Sequence, residues 1–238
     1  MYNNMRSISS ALESILSQID DSFEVIVVDS ESNDGSEKIL RSLEESGKIK
    51  LITKKCTKGK GRQLAHDMAT GEYVIHQLDL DNIYRPTLMK LLGIYHNQCD
   101  GTVMRINEKP ITIAPRRLIT EVGGWRDLQY CEDWDLWSRA GKIGKFTWIK
   151  YDLVQEMNLH EERETLMGRI NYSYYNNRER IRLGRNLTKT GEKQSILVKL
   201  IILYARIRSK FMKDLKDPFN REFGSLDPKY QRTIMQNN

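Results

Sequence analysis

The feature that most narrows the folds open to this chain is a repeated exchange of short apolar runs and helical patterns, with turn residues at each junction. Phe23-Glu24-Val25-Ile26-Val27-Val28 is β-branched without polar alternation, as a strand buried on both faces requires. Ser, Asn, Asp and Gly punctuate residues 30–35, and a helical pattern follows over 36–46. Residues 50–53 read as the next strand, 62–69 as a helix closed by Gly71, and 73–78 as a third strand. Strands alternating with helices predict a doubly wound open sheet, which binds ligands in the crevice beyond the carboxyl ends of its strands.

Further along, Pro86 is placed to open a helix to about residue 97, and 102–106 and 111–114 read as short strands. A helix over 115–122 ends at Gly123-Gly124. Trp134, Leu136 and Trp137 sit at helical spacing within 132–140, and 146–149 returns to strand character. From about Glu162 the pattern is helical and basic, without repeats or a clear linker.

A chain of 238 residues with 39% hydrophobic content can bury one core of α/β size. Its charge is divided unevenly. Residues 1–162 hold 21 Lys+Arg against 25 Asp+Glu, net −4, and residues 163–238 hold 17 against 7, net +10. The chain therefore divides into an α/β domain over 1–162 and a basic helical C-terminal extension over 163–238. Cys56, Cys99 and Cys131 are odd in number and widely spaced, which indicates neither a disulfide framework nor a zinc knuckle, and a reducing cytosol is the expected compartment. The longest wholly apolar run, Leu200 to Ala205, is far short of the roughly 20 residues that cross a bilayer. No secretory signal opens the chain, so it is expected to be cytoplasmic.

Several acids carry the candidate chemistry. Asp79 and Asp81 follow the apolar run 73–78 one residue apart, and in an extended backbone both project to one face. Such a pair can hold one Mg2+ or Mn2+ together with substrate phosphate oxygens, or it can be a solvated turn. Asp29 ends the strand 23–28 and can accept hydrogen bonds from a base or ribose, while Asp34 and Ser36 read as helix-capping residues. Lys58-Gly59-Lys60-Gly61-Arg62 sets three cations and two glycines just before a helix, either to meet phosphate or as an exposed basic loop. Glu132-Asp133 opens a helix as cap or as general base. His160 is either a metal or phosphate contact or simply packed.

Taken in order, Ser10-Ala11-Leu12-Glu13-Ser14-Ile15, Glu24 to Asp29, Ser32-Asn33-Asp34-Gly35-Ser36, Gly71-Glu72-Tyr73-Val74, Leu78-Asp79-Leu80-Asp81-Asn82, Gly123-Gly124-Trp125 and Glu132-Asp133-Trp134-Asp135-Leu136 resemble family 2 glycosyltransferases. The likeness runs from Tyr2-Asn3 to about His160. It implies the GT-A fold, a three-layer α/β/α sandwich with a mainly parallel sheet. It also implies an inverting, metal-dependent transfer of a sugar from a nucleotide diphosphate donor to the hydroxyl of a glycan or lipid-linked acceptor. Carried over by position, Tyr2, Asp29, Arg62, Asp79 and Asp81 bind the nucleotide-sugar. Asp81, Asp79 and His160 hold Mn2+ or Mg2+, Asp133 is the catalytic base, and Trp125, Glu132 and Trp134 shape the acceptor pocket. The alternative is a sugar-nucleotide-binding or scaffold protein without turnover.

The resemblance places an apolar strand before the Tyr-Asn pair, whereas Met1-Tyr2-Asn3 opens this chain. The sheet is therefore expected to lack its first strand, and an upstream start is expected to restore activity. Within 197–212, Leu200, Leu203, Ile207 and Phe211 keep helical spacing and Lys199, Arg206 and Lys210 gather on another face, joined by Lys213. Such a helix lies on an anionic membrane surface or covers a core, and the resemblance to enzymes of lipid-linked acceptors makes peripheral membrane contact through 195–213 an expectation. Nucleic acid is not expected as a partner, because no RNA or DNA motif accompanies the basic tail and the body is acidic.

Overall fold

The computed structural model describes residues 1–106, 111–156, 166–183, 196–212 and 233–234. Its centre is a five-stranded sheet in the order β3 (Tyr73–His76), β6 (Thr112–Pro115), β5 (Val103–Ile106), β7 (Phe146–Ile149) and β9 (Thr233–Ile234). β6 is antiparallel to both β3 and β5, whereas β5, β7 and β9 run parallel.

Alternation along these strands builds two cores. Met104, Ile106, Ile113 and Ile149 face one side with α1 (Ile8–Leu16) and α4 (Leu88–Ile94), and Val103, Ala114 and Phe146 face the other with α5 (Arg116–Glu121) and α6 (Glu132–Lys142). This is the three-layer α/β/α arrangement. Helix α1 forms because Ile8, Ala11, Leu12 and Ile15 fall on one face, and all four are buried. In α6, Leu136, Trp137 and Ala140 are fully buried. The Trp137 indole donates to Thr112 Oγ1 at 2.9 Å, so its polar atom is satisfied inside the core.

A second, parallel pair lies apart from this sheet: β1 (Ile26–Asp29) against β2 (Lys50–Thr53), linked by α2 (Ser36–Glu45). Each of β1 and β3 thus pairs along one edge only, and no strand of the described residues lies between them. Their starts are tied by Glu24, whose Oε1 accepts from the N–H groups of Thr70 (2.5 Å) and Gly71 (2.9 Å). At the other end the Met1 nitrogen donates to Val28 O at 2.6 Å, and Ser30 N–H donates to Met1 O at 2.9 Å.

Boundaries differ from the sequence reading where side chains decide them. Helix α3 runs Lys58–Met68, four residues earlier than expected, because Thr57 Oγ1 caps Lys60 N–H at 3.1 Å. The apolar run after residue 73 leaves the strand at His76, since Gln77 adopts φ +73°. After α4 the helix widens into a π turn, Tyr95–Cys99. Beyond the sheet, β4 (Asn82–Tyr84) pairs with β8 (Val154–Glu156), and α7 (Leu166–Arg182) packs against α8 (Ile196–Lys210).

Candidate active site

The carboxyl ends of β1 and β3 open into a cavity of about 2150 Å³ whose lining includes Tyr2, Lys58, Arg62, Asp79, Asp81 and Arg178. Asp29, the last residue of β1, is fully buried. Its carboxylate accepts from Ser32 Oγ at 2.6 Å and from Ser32 N–H at 3.1 Å. Ser32 Oγ in turn accepts from Asn3 N–H at 2.8 Å, and Asp34 accepts from Met5 N–H at 2.8 Å. The segment carrying Tyr2 is therefore knitted to the loop after β1, and Tyr2 itself is exposed. Asp34 also accepts from Ser36 Oγ at 2.6 Å and from Ser36 N–H at 3.0 Å, while the N-cap position itself is taken by Gly35 at φ +97°, without a side-chain cap.

Asp79 and Asp81 lie in the loop between β3 and β4 rather than in a strand. Both still line the cavity. Leu80 is buried with its carbonyl accepting from Ser7 Oγ at 2.6 Å, while Asp79 is exposed and Asp81 half-buried. Tyr84 Oη donates to Asp79 O at 2.9 Å and pins the turn. The bend before it is held from the core, since Thr112 Oγ1 donates to Gln77 Oε1 at 2.6 Å and itself receives the Trp137 N–H. Among the described residues no three His, Cys, Asp or Glu side chains form a closed metal cage. Two hard oxygen donors at the lip of an open cavity fit Mg2+ or Mn2+, which usually take one or two carboxylates and complete their shell with water and substrate phosphates. His160 lies outside the described residues.

Glu132 and Asp133 occupy the first turn of α6, where the helix dipole favours anions. Their environments differ. Glu132 is buried and ion-paired with Arg62, and burial raises its carboxyl pKa against the opposing pull of that guanidinium. Asp133 is half-buried, with one oxygen accepting from Trp134 N–H at 2.7 Å. Arg62 thus joins the cavity, which it lines, to the residue beside Asp133. Its guanidinium also lies 5.1 Å from the Trp125 ring centroid, and Trp125 packs on His76 at 5.1 Å. Trp125 is buried beneath Arg62, and Trp134 packs on Trp137 and Arg105; neither of them lines the cavity, and nor do Asp29, Glu132 and Asp133, so of the expected site residues it is Tyr2, Arg62, Asp79 and Asp81 that the cavity brings together. Burial pushes the His76 imidazole down to about 3.

The approach of α3 to the loop 126–128 depends on Gly59. A Cβ there would stand 2.0 Å from Arg126 O, and Gly59 N–H donates to Leu128 O at 2.9 Å. Asp135, in the same acidic turn as Asp133, is structural: it pairs with Arg139, whose Nη2 also donates to Gly124 O at 2.7 Å. That bond fixes the Gly123-Gly124 turn ahead of Trp125.

Backbone strain gathers around the cavity. The four non-glycine residues of positive φ among those described are Asn3, Glu31, Gln77 and Cys131. Each lies within two residues of Tyr2, Asp29, Asp79 or Glu132, the distribution seen when strain serves a binding site. Tyr175 and Arg178 of α7 complete the wall, and Tyr130 packs on Tyr172 at 5.3 Å just ahead of Cys131. The sequence carries no sign of this, because helical spacing alone does not say which face of a basic helix meets the domain.

Residues 1–157 match the family model of Glycosyl transferase family 2. The protein EpsE of Bacillus subtilis (strain 168), provisionally named a glycosyltransferase, is 37% identical over a stretch covering 44% of this chain and 41% of EpsE. The chain thus spans less than half of that relative. Among solved structures, S. aureus TarS (residues 1–349, with UDP-GlcNAc) superimposes with a TM-score of 0.56 at 16% identity, covering 90% of this chain and 71% of that one. Full TarS gives 0.55 at 16% identity over 90% of this chain and 43% of its own. The mannosyltransferase PcManGT from Pyrobaculum calidifontis, with GDP-Man and Mn2+, gives 0.56 at 21% identity over 88% and 67%. These likenesses establish the GT-A fold.

Proposed function

The chain belongs to glycosyltransferase family 2, and from that premise we propose that it transfers a sugar from a nucleotide diphosphate donor to an acceptor hydroxyl with inversion. The observation that carries this reading is one cavity lined by Tyr2, Arg62, Asp79 and Asp81, with Asp29 buried at the end of β1 behind it and Asp133 connected to it through the Arg62–Glu132 pair. The solved relatives hold UDP-GlcNAc or GDP-Man in the same fold, which supports a nucleotide-sugar as donor here.

The chemistry follows from placement. Asp29 and the loop 30–36 receive the nucleoside, with Tyr2 at the rim. Asp79 and Asp81 would hold a divalent cation, which supplies positive charge to the diphosphate. Asp133 takes the proton of the acceptor hydroxyl as its oxygen bonds to the anomeric carbon. The bond from that carbon to the diphosphate breaks, its electron pair leaves with phosphate, and one displacement inverts the centre. Arg62 and Glu132 hold the base in register, and Trp125 and Trp134 set the shape of the acceptor side from behind.

The test is donor turnover with Mn2+ in the presence of acceptor sugars. Asp133→Asn is expected to lower turnover by at least a hundredfold while sparing donor binding, and Asp81→Ala to weaken both. If Asp133→Asn turns over normally, the assigned base is wrong. If the parent chain binds donor and never releases nucleotide, the second reading, a nucleotide-sugar-binding protein without turnover, takes its place; the open edges of β1 and β3 beside the site favour it.

A peripheral membrane contact is part of the same proposal. No helix of the described residues is long and apolar enough to cross a membrane. On α8, Ile202 and Ala205 are buried, while Leu200, Leu203, Tyr204, Ile207 and Phe211 form an exposed stripe at three- and four-residue steps. Lys199, Arg206, Arg208 and Lys210 flank the stripe, and residues 196–212 contain no Asp or Glu. That is the composition of a helix lying on anionic lipid. Flotation with phosphatidylglycerol vesicles should carry the protein, and Leu203→Glu with Ile207→Glu should leave it behind; parent protein that stays at the bottom removes the membrane contact.

A further inference from the structure

We infer that Arg105 and the three tryptophans around it form a subsite for an anionic group, a carboxylate or a phosphate ester, carried by the acceptor beside the hydroxyl that Asp133 deprotonates. The link to the acceptor rests on the reading of Asp133 as the base; the anion site itself does not.

The cage follows from strand register. In β5, Met104 and Ile106 face α1 and α4, so Val103 and Arg105 turn to the side of α6. Arg105 stands opposite Trp148 in β7 and Thr112 in β6, and cross-strand neighbours share a face. Trp134 and Trp137 of α6 close over it. The guanidinium carbon lies 4.4 Å from the Trp137 ring centroid, 4.6 Å from that of Trp148 and 5.2 Å from that of Trp134. Trp137 is fully buried, whereas Arg105, Trp134 and Trp148 are half-buried, so the cage reaches the surface.

The cage is rich in donors. Arg105 Nε and Nη1 and Trp148 Nε1 are buried without a hydrogen-bond partner among the described residues. The indole faces hold the cation through their quadrupoles but bring these N–H groups no oxygen. The oxygens around α6 are engaged elsewhere. Thr112 Oγ1 receives the Trp137 N–H and donates to Gln77, Glu132 is paired with Arg62, and Asp135 is paired with Arg139 and Arg126. Burial lowers the Arg105 pKa, and the charge that opposes this is Asp133, with which Arg105 forms no ion pair among the described residues.

A desolvated cation beside a further unpartnered N–H selects a ligand that only accepts and is negative. An ionised carboxylate or phosphate meets both conditions, whereas a sugar hydroxyl brings a proton of its own. The indoles hold the guanidinium off Asp133, so an anion seated on Arg105 leaves the carboxylate to the reacting hydroxyl. That anion is not the diphosphate of the donor. Arg105 does not line the cavity shared by Asp79 and Asp81, and the acid whose charge bears on it is Asp133.

Indole N–H resonances read this site directly, because three of the four tryptophans form the cage and Trp125 packs on Arg62 instead. The full chain is titrated at neutral pH with glucuronate, glucose 6-phosphate, glucose and inorganic phosphate, without donor or metal. Glucuronate or glucose 6-phosphate is expected to move the Trp148 signal and leave that of Trp125 in place, and the one that acts identifies the group. Arg105→Met is expected to weaken this binding about tenfold or more, with the Trp137 signal marking an intact core. An equal response to glucose or to inorganic phosphate, no response to either acidic sugar, or a response that survives Arg105→Met overturns the inference. Should Arg105→Met fail to fold, Arg105→Gln takes its place with the same expectation, and if that also fails, the comparison of acidic with neutral sugar on the parent decides. Because no turnover is read, the two proposals fail separately. Intact shifts without sugar transfer count against the transferase alone, and sugar transfer without shifts counts against the subsite alone.

Discussion

Arg62 in α3 and Glu132 at the start of α6 form a buried ion pair across 70 residues of sequence. Removing one member strands the other in a desolvated place, so Glu132→Ala or Arg62→Ala is expected to cost about 3–5 kcal/mol in urea unfolding. Arg62→Met combined with Glu132→Leu should cost clearly less than either single change. Equal losses for all three would show that packing, and not the pair, holds the two helices together.

His76 sets a pH dependence. Its imidazole is buried, with Nε2 lacking a hydrogen-bond partner, and burial takes its pKa from 6.5 to about 3, with smaller contributions from His66 and Arg62. The unfolded chain then binds a proton that the folded chain refuses, so this contribution is complete above 6.5 and falls away as pH drops toward 3. Between pH 7 and pH 5 the loss is about 2 kcal/mol. His76→Phe should flatten that part of the urea-midpoint profile, and an unchanged slope would assign the acid sensitivity elsewhere.

Gly59 and Gly93 should respond oppositely to alanine. At Gly59 the new methyl group meets Arg126 O at 2.0 Å, and separating α3 from the loop 126–128 should cost about 2–4 kcal/mol. Nothing lies within 4 Å at Gly93 inside α4, so Gly93→Ala should gain about 0.5–1 kcal/mol. Thermal unfolding of the two variants checks both.

Donor affinity should depend on a divalent cation through Asp81. In titration calorimetry with a nucleoside diphosphate, chelating Mn2+ should weaken binding to the parent about tenfold or more, whereas Asp81→Ala should bind weakly with or without it. A variant that keeps the full response would move the cation to other ligands.

The strands 50–53 and 146–149 and the helix over 36–45 stand where their patterns place them, because burial and propensity agree there. Asp79 and Asp81 both line the cavity while Leu80 is buried, as an apolar residue between two acids leads one to expect, although a loop and not a strand carries them. What escaped the sequence depends on contacts between distant segments. The early start of α3 rests on Thr57 and on Gly59 against Arg126 O, the β4–β8 pairing joins residues about 70 positions apart, and the wall formed by Tyr175 and Arg178 requires α7 to fold back on Tyr130. Arg62 reads in the sequence as one cation of a basic, glycine-containing segment, but its pairing with Glu132 does not, since nothing local connects the two.

The packing of Tyr130 on Tyr172, and of Tyr174 on Tyr204 at 5.3 Å, ties α8 through α7 to the loop just ahead of α6, so a substitution on the far helix is felt in the turn where Cys131 takes its left-handed conformation.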